Sequence, residues 1–384
     1  MSNWKQAITQ VVGGIDDYFD ALQFRFRQKR GIESVQILPY IGHGTHTTLY
    51  LKGRAIEDYS VMDSHDTDTT WQNLLNMYRR FNSHEIPYAR VKAYFDGKAY
   101  ETKADDEGYF NFQISLDKRL PDDVIWHDVL LELIDYHAQE TTRTVGKVIV
   151  PPSSAQFGII SDLDDTVIKS DVINLLKLAR NTFLYNSHTR LPFAGVAEFY
   201  HALQKGVGQG YNPIFYVSNS PWNLYELLVD FFEVRGIPAG TFFLTDIGLT
   251  PTKLIRSNGA KHKFACIQTL LETHPKLPFI LIGDSGEKDA EIYLKAAQQY
   301  VGRIKAIYIR DVSATRRDSE VQSIIQQATL AGTEMLLVPD TAAAAAHALE
   351  RGYIEPETIP AIRQEKIADE QQPSLIEDLI DKLP

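Results

Sequence analysis

From about residue 155 the chain alternates short apolar runs with amphipathic segments, and this restricts its fold more than any other feature. The runs are FGIIS, PIFYVS, TFFLT, PFILIG, RIKAIYI and EMLLVP. Between several of them lie helical patterns such as NLYELLVDFFEVRG and KFACIQTLLETH. Strands that are apolar throughout, rather than at every second position, are buried on both faces. Such strands separated by helices predict an α/β domain with a parallel sheet covered on both sides, here over residues 155–350. Pro151-Pro152-Ser153-Ser154 is the stiff break before it.

The preceding residues have a different texture. From 34 to 150, segments such as HTTLYLKGRAI and YARVKAYFDGKAYETKADDEGYFNFQISL alternate apolar and polar positions between Gly, Asp and Pro. The pattern predicts a small antiparallel β-sandwich. Phe95-Asp96-Gly97-Lys98 and Asp105-Asp106-Glu107-Gly108 read as hairpin or tight turns. WQNLLNMYRRF, near 71–81, reads as one interrupting helix. Residues 1–31 carry Trp4, Ile8, Val11, Ile15, Tyr18 and Leu22 at helical spacing and form the expected N-terminal helix. Residues 355–384 read as a polar tail, with PSLIEDLIDKL as a last short helix.

A chain of 384 residues with net charge −11 accommodates two domains and argues against a general nucleic-acid binder, whose footprint is basic. No apolar run approaches the ~20 residues that span a bilayer, and the N-terminus lacks the layout of a secretion signal. The expected location is the cytoplasm, with peripheral membrane contact left open. The single cysteine, Cys266, excludes an internal disulfide and reads as a small buried apolar residue.

Three of the expected strand ends and one helix start carry polar residues suited to phosphate chemistry, and in such sheets ligands bind at carboxyl ends of strands. The first is IISDLDDT. Asp162 and Asp164 are two apart in an extended segment and so face one site, with Thr166 following. Two close carboxylates call for a cation, and magnesium has the oxygen preference and the affinity for phosphate. One carboxylate can attack phosphorus while the other handles protons. A calcium or turn-forming acidic loop is the alternative. The second is PIFYVSNSP, where Ser218 ends a strand and Asn219, Ser220 and Pro221 open a helix. Ser218 suits a phosphoryl contact; Ser220 reads better as a cap. The third is the lysine pair Lys261 and Lys263 before a helix, of which Lys263 is preferred as the phosphate partner. The fourth is PFILIGDSGEKDAEIY, in which Asp284 and Asp289 complete a metal shell and Glu287 faces solvent. Asp289 alone would also suit a first helical turn.

This order resembles the haloacid dehalogenase superfamily, whose Rossmannoid fold the second domain is then expected to share. The resemblance implies Asp162 as nucleophile, Asp164 as general acid/base and Lys263 as the catalytic lysine. It implies substrate contacts from Thr166, Ser218, Asn219 and Lys263, and Mg2+ held by Asp162, Asp164 (through its carbonyl), Asp284 and Asp289. SDLDDTVIKSDV, NTFLYNSHTRLPF, SNSPWNLY, KHKF and ILIGDSGEKDAEIY look like the catalytic domain of the actin patch protein type of phosphatidate phosphatase, over roughly 157–312. That likeness implies phosphatidate hydrolysis to diacylglycerol and phosphate. The short stretch between Val167 and Asn212 implies an open site, where Lys177, Arg180, His188 and Arg190 either meet an anionic headgroup or form a solvated face. Two other readings stay open: a phosphatase of soluble esters or phosphoproteins, and a phosphatidate-binding module without turnover. Nothing in the sequence sets an oligomeric state.

Overall fold

The computed structural model describes residues 35–57, 85–134, 142–163, 195–208, 210–245, 259–312 and 318–371. The expected helices at 1–31 and 71–81 lie outside these residues. So do Asp164, Thr166, Lys177, Arg180, His188, Arg190 and the PSLIEDLIDKL segment. The chain divides into two units: Met1–Leu120 with Trp126–Val148, and Pro121–Ile125 with Ile149–Pro384.

The first unit contains β1 (Val35–Pro39), β2 (Gly42–Thr45), β3 (Thr48–Glu57), β4 (Arg90–Phe95), β5 (Lys98–Lys103), β6 (Tyr109–Ser115), β7 (Trp126–Leu133) and β8 (Arg143–Ile149). Alternation sets its faces: in β6, Phe110, Phe112 and Ile114 are buried while Asn111, Gln113 and Ser115 are exposed. The β4–β5 hairpin turns on Asp96 (φ 47°) and Gly97 (φ 73°). Two positive φ values define a type I′ turn, which an Asp-Gly pair adopts at little cost. A sandwich of two separate sheets was the expectation, and the hydrogen bonding differs. All eight strands join one sheet, ordered β1-β3-β2-β8-β7-β4-β5 with β6 on β3. The ten-residue β3 is the cause: β2 and β1 pair with successive stretches of one edge, and β6 with the other.

The second unit is built on a six-stranded sheet of β9 (Gly158–Asp162), β10 (Ile214–Pro221), β11 (Thr241–Thr245), β12 (Phe279–Asp284), β13 (Ile304–Arg310) and β14 (Glu334–Val338). Every pairing is parallel, as the apolar runs predict. The order is β11-β10-β9-β12-β13-β14. The described helices are α1 (Val196–Lys205), α2 (Tyr225–Val234), α3 (Gly259–Thr273), α4 (Asp289–Gln299), α5 (Asp318–Leu330), α6 (Thr341–Glu350) and α7 (Ile359–Gln371). Ile160, Phe215 and Leu281 of the strands share a buried cluster with Ile267 and Leu270 of α3, Tyr293 of α4 and Val321 of α5. The other face is aromatic: Phe199 and Tyr200 of α1 lie 6.1 Å from Tyr308 and 6.3 Å from Tyr216, respectively. Each such fully buried apolar side chain stabilises the fold by about 1.5–3 kcal/mol over exposure.

Two local expectations change, and that for Cys266 holds. Pro221 is the last residue of β10 rather than a first helical residue, because a register shift between Val217 and Pro221 carries the strand onward. Pro221 is at the same time the N-cap residue of a 3-10 turn, Trp222–Leu224, which runs directly into α2 at Tyr225, so the expected helix start is displaced by one residue. Residues expected as polar tail form α7, which buries Ile362 and pairs Lys366 with Asp340 at 2.6 Å. Cys266 is buried in the apolar cluster, as expected, and its Sγ lies 3.6 Å from Nε2 of His262, one helical turn earlier. Among the described residues, no helix is long and apolar enough to cross a membrane.

Candidate active site

The strand order reverses between β9 and β12, which lie side by side while their chain neighbours run outward in opposite directions. In open α/β sheets the carboxyl ends at such a switch point form the ligand crevice. The β9–β12 register runs from Gly158↔Phe279 to Ser161↔Ile282, so the next residues out of the ladder bring Asp162 and Asp284 to one place. On the other side of β9, Val217 is the register partner of Asp162, and Ser218 is the next residue of β10.

The turn after β12 then folds back on itself. Asp284 Oδ1 accepts hydrogen bonds from the backbone N–H groups of Gly286 (2.7 Å) and Glu287 (3.0 Å). Asp289, the first residue of α4, accepts at Oδ2 from the Asp284 N–H at 3.2 Å. Gly283 is required for this return, because a Cβ there would stand 2.4 Å from Asp289 Oδ2. Carboxylate oxygens of Asp162, Asp284 and Asp289 lie within 4.8 Å of one another, and all three residues are buried.

Lys263 reaches this cluster from the second turn of α3. Its Nζ lies 2.6 Å from Asp162 Oδ1, 3.0 Å from Asp289 Oδ1 and 2.6 Å from Glu287 Oε2. Lys263 is buried, whereas Lys261 is exposed. The contact to Asp162 is an ion pair without hydrogen-bond alignment. Both Asp162 oxygens therefore lack a directed donor among the described residues, although both are buried. Glu287 differs from its expected place in solvent: it keeps 29% side-chain exposure but pairs with Lys263. A lysine 24 positions earlier in the chain draws it inward.

Among the described residues Lys263 meets three carboxylates, Asp162, Asp289 and Glu287, and Asp284 crowds the first two. Burial, then the charge of Asp289, pushes the Asp162 carboxyl above its ordinary range, and Lys263 only partly offsets this. Burial, with Asp284 adding to it, raises Asp289 in the same sense. Burial would lower the Lys263 ammonium, but Asp162, Asp289 and Glu287 together raise it, so it stays charged. Three crowded, buried carboxylates, of which Asp162 lacks a directed donor among the described residues, fit a hard divalent cation, and an all-oxygen donor set suits Mg2+.

The remaining predicted residues frame the cleft. Ser218 is buried, and its Oγ accepts from the Ser220 N–H at 3.0 Å, leaving its own proton to give. Asn219 is half-buried, with Oδ1 lacking a donor among the described residues. It packs on Gly259 at the start of α3, where a Cβ would lie 2.7 Å from that oxygen. Thr245, not singled out in the sequence, ends β11 and donates from Oγ1 to the carbonyls of Asn219 (2.6 Å) and Ser220 (3.2 Å). Its signal was available, as a polar residue closing an apolar strand. Thus Asp162, Lys263, Asp284 and Asp289 meet directly and Ser218 lies on the next strand. Asp164 and Thr166 are outside the described residues.

Residues 157–311 match the family model described as "Phosphatidate phosphatase APP1, catalytic domain". Phosphatidate phosphatase APP1 of Saccharomyces cerevisiae is 32% identical over 203 residues, which are 50% of this chain and 33% of that protein. An uncharacterized protein of Schizosaccharomyces pombe is 30% identical over 157 residues, 41% of this chain and 25% of that one. The chain thus spans a third or less of the length of these relatives. A carbohydrate acetylesterase from Xanthomonas citri aligns over 85% of this chain and 71% of its own at 11% identity. Its TM-score of 0.26 is too low to bear on fold or function. Over the residues that build the site, the chain is similar to the catalytic domain of a phosphatidate phosphatase.

Proposed function

We propose that the chain hydrolyses phosphatidate to diacylglycerol and inorganic phosphate through a covalent aspartyl-phosphate, on a haloacid dehalogenase-like Rossmannoid domain that uses magnesium. The observation that carries this reading is the buried Asp162–Asp284–Asp289 cluster around Lys263, lying within the residues matched to a phosphatidate phosphatase catalytic domain.

An Asp162 oxygen attacks phosphorus opposite the diacylglycerol oxygen. The bond from phosphorus to that oxygen breaks as the bond to Asp162 forms, and Asp164 gives its proton to the departing oxygen. Asp164 then takes a proton from water, whose oxygen attacks phosphorus and breaks the bond to Asp162. Inorganic phosphate leaves, and Asp162 is a carboxylate again. Lys263 holds phosphoryl oxygens through this transfer, and the Ser218 hydroxyl donates to one of them. Asp162, Asp284 and Asp289 would hold magnesium, which when bound supplies positive charge against the phosphoryl oxygens. Because phosphatidate resides in a bilayer, the chain works at a membrane surface from the aqueous side.

Phosphate release from phosphatidate in detergent micelles, compared with release from glycerol phosphate, tests the reading. We expect kcat/KM at least tenfold higher for the lipid, with all turnover lost in chelator. Equal rates on the two would move the assignment to soluble esters, and micelle binding without turnover to a binding module.

A further inference from the structure

The ladder between β9 and β12 stops one step before the site needs it to. Gly158 donates its N–H to Pro278, next to β12, while Ile159 donates to Pro213, next to β10. Alternation then turns the backbone groups of Asp162 toward β12. The partner that a continued ladder would give the Asp162 carbonyl is the N–H of Asp284. Pairing ends, however, at Ser161↔Ile282, and the Asp284 N–H goes to Asp289 Oδ2. The two strands part here, and the parting opens the carboxylate cluster between them.

A pair of buried hydroxyls takes over the carbonyl that the ladder gives up. Ser161 Oγ donates to the Asp162 carbonyl at 3.0 Å and lies 2.6 Å from the Tyr200 hydroxyl. Since the serine proton is on the carbonyl, Tyr200 donates to Ser161. Ser161 and Tyr200 are both fully buried, and Tyr200 comes from α1, 39 positions along the chain. A phenylalanine and an alanine would fill these places without burying hydroxyls that must be satisfied.

We propose that Tyr200 and Ser161 are positioning residues for the nucleophile: β10 still holds the N–H side of the peptide after Asp162, through Leu163 to Val217 at 3.3 Å, and the relay fixes its carbonyl side, where β12 has parted, and so aims the Asp162 carboxylate. The proposal rests on Asp162 being the nucleophile. Neither residue touches the reacting atoms. Small errors in such aim are costly because attack needs close and aligned approach.

The test uses the full chain and the variants Tyr200→Phe, Ser161→Ala and Ser161→Thr. Two quantities are read: kcat and KM on micellar phosphatidate, and calorimetric binding of beryllium trifluoride with Mg2+, which mimics a phosphoryl group on aspartate. We expect kcat to fall roughly tenfold in Tyr200→Phe and Ser161→Ala, with KM within about twofold. Beryllium trifluoride binding should weaken about as much, and Ser161→Thr, which restores a hydroxyl, should recover most of both. Melting temperatures should change by only a few degrees. Unchanged kcat and beryllium trifluoride affinity in both variants would overturn the proposal. So would losses that track melting temperature and are as large in Ser161→Thr as in Ser161→Ala. Beryllium trifluoride binding without phosphatidate turnover would sink the substrate reading alone, leaving the relay to be judged on binding. No binding by the wild-type chain would remove the nucleophile and the relay together.

Discussion

Replacing Asp162 by asparagine should make the second unit more stable in chelator while ending turnover. Asp162 faces Asp284 and Asp289 with carboxylate oxygens no more than 4.8 Å apart, and Lys263 Nζ at 2.6 Å. At an effective dielectric of about 20, each repulsion is worth at least about 3.5 kcal/mol and the attraction about 6 kcal/mol. These nearly cancel, so the balance is set by the cost of burying a carboxylate whose oxygens lack directed donors, several kcal/mol per ion. Asparagine has its own amide to desolvate, which leaves a net gain of about 1–3 kcal/mol. Thermal unfolding at pH 7.5 in chelator should show it, at roughly 2–4 °C per kcal/mol for a unit of this size. With magnesium the order should reverse, since the cation binds the wild-type site more tightly and stabilises it by mass action. A variant less stable than wild type in chelator by 1 kcal/mol or more would refute the reasoning, because Asp162 would then be a structural partner of Lys263.

Three further outcomes follow from the same geometry. Lys263→Met leaves Asp162 and Asp289 buried without their cation, and denaturant unfolding at neutral pH should show a loss of about 3–5 kcal/mol. Gly283→Ala drives a methyl to 2.4 Å from the buried Asp289 carboxylate, and calorimetry should show magnesium affinity falling at least tenfold while the sheet core persists by circular dichroism. His274, held at a pKa of about 4 by burial and then by the charge of Arg303, gives a pH dependence. Its lowered folded pKa means the unfolded chain binds the extra proton. This contribution is thus complete above about pH 6.5 and lost as pH falls toward 4. Between pH 7.5 and 5, wild type should lose about 2 kcal/mol more unfolding free energy than His274→Leu. Equal losses would show that the ring titrates normally in the fold.

Most of the candidate site could be read from local pattern, because parallel strands buried on both faces leave uninterrupted apolar runs whose carboxyl ends meet at the switch point of the sheet. FGIIS and PFILIG carry Asp162 and Asp284 in this way. What escaped the sequence was non-local. Glu287 looked solvent-facing until α3 brought Lys263 to it, and Ser161 looked like one more strand residue until α1 set Tyr200 on it. The single sheet of the first unit depends on both edges of β3 being paired, and strand alternation does not encode edges. α7 escaped because it buries little beyond Ile362, so its sequence carries almost no apolar stripe. Pro221 was placed to within one residue, because proline suits a helix start and an irregular strand end equally well and here it serves as both.

The most direct measurement is an acid quench of the chain turning over phosphatidate labelled in its phosphate, followed by peptide mapping. The account predicts a hydroxylamine-sensitive phosphate on the peptide containing Asp162, and neither label nor turnover in Asp162→Asn. Label on another residue, or phosphate release by a folded Asp162→Asn chain, would contradict it.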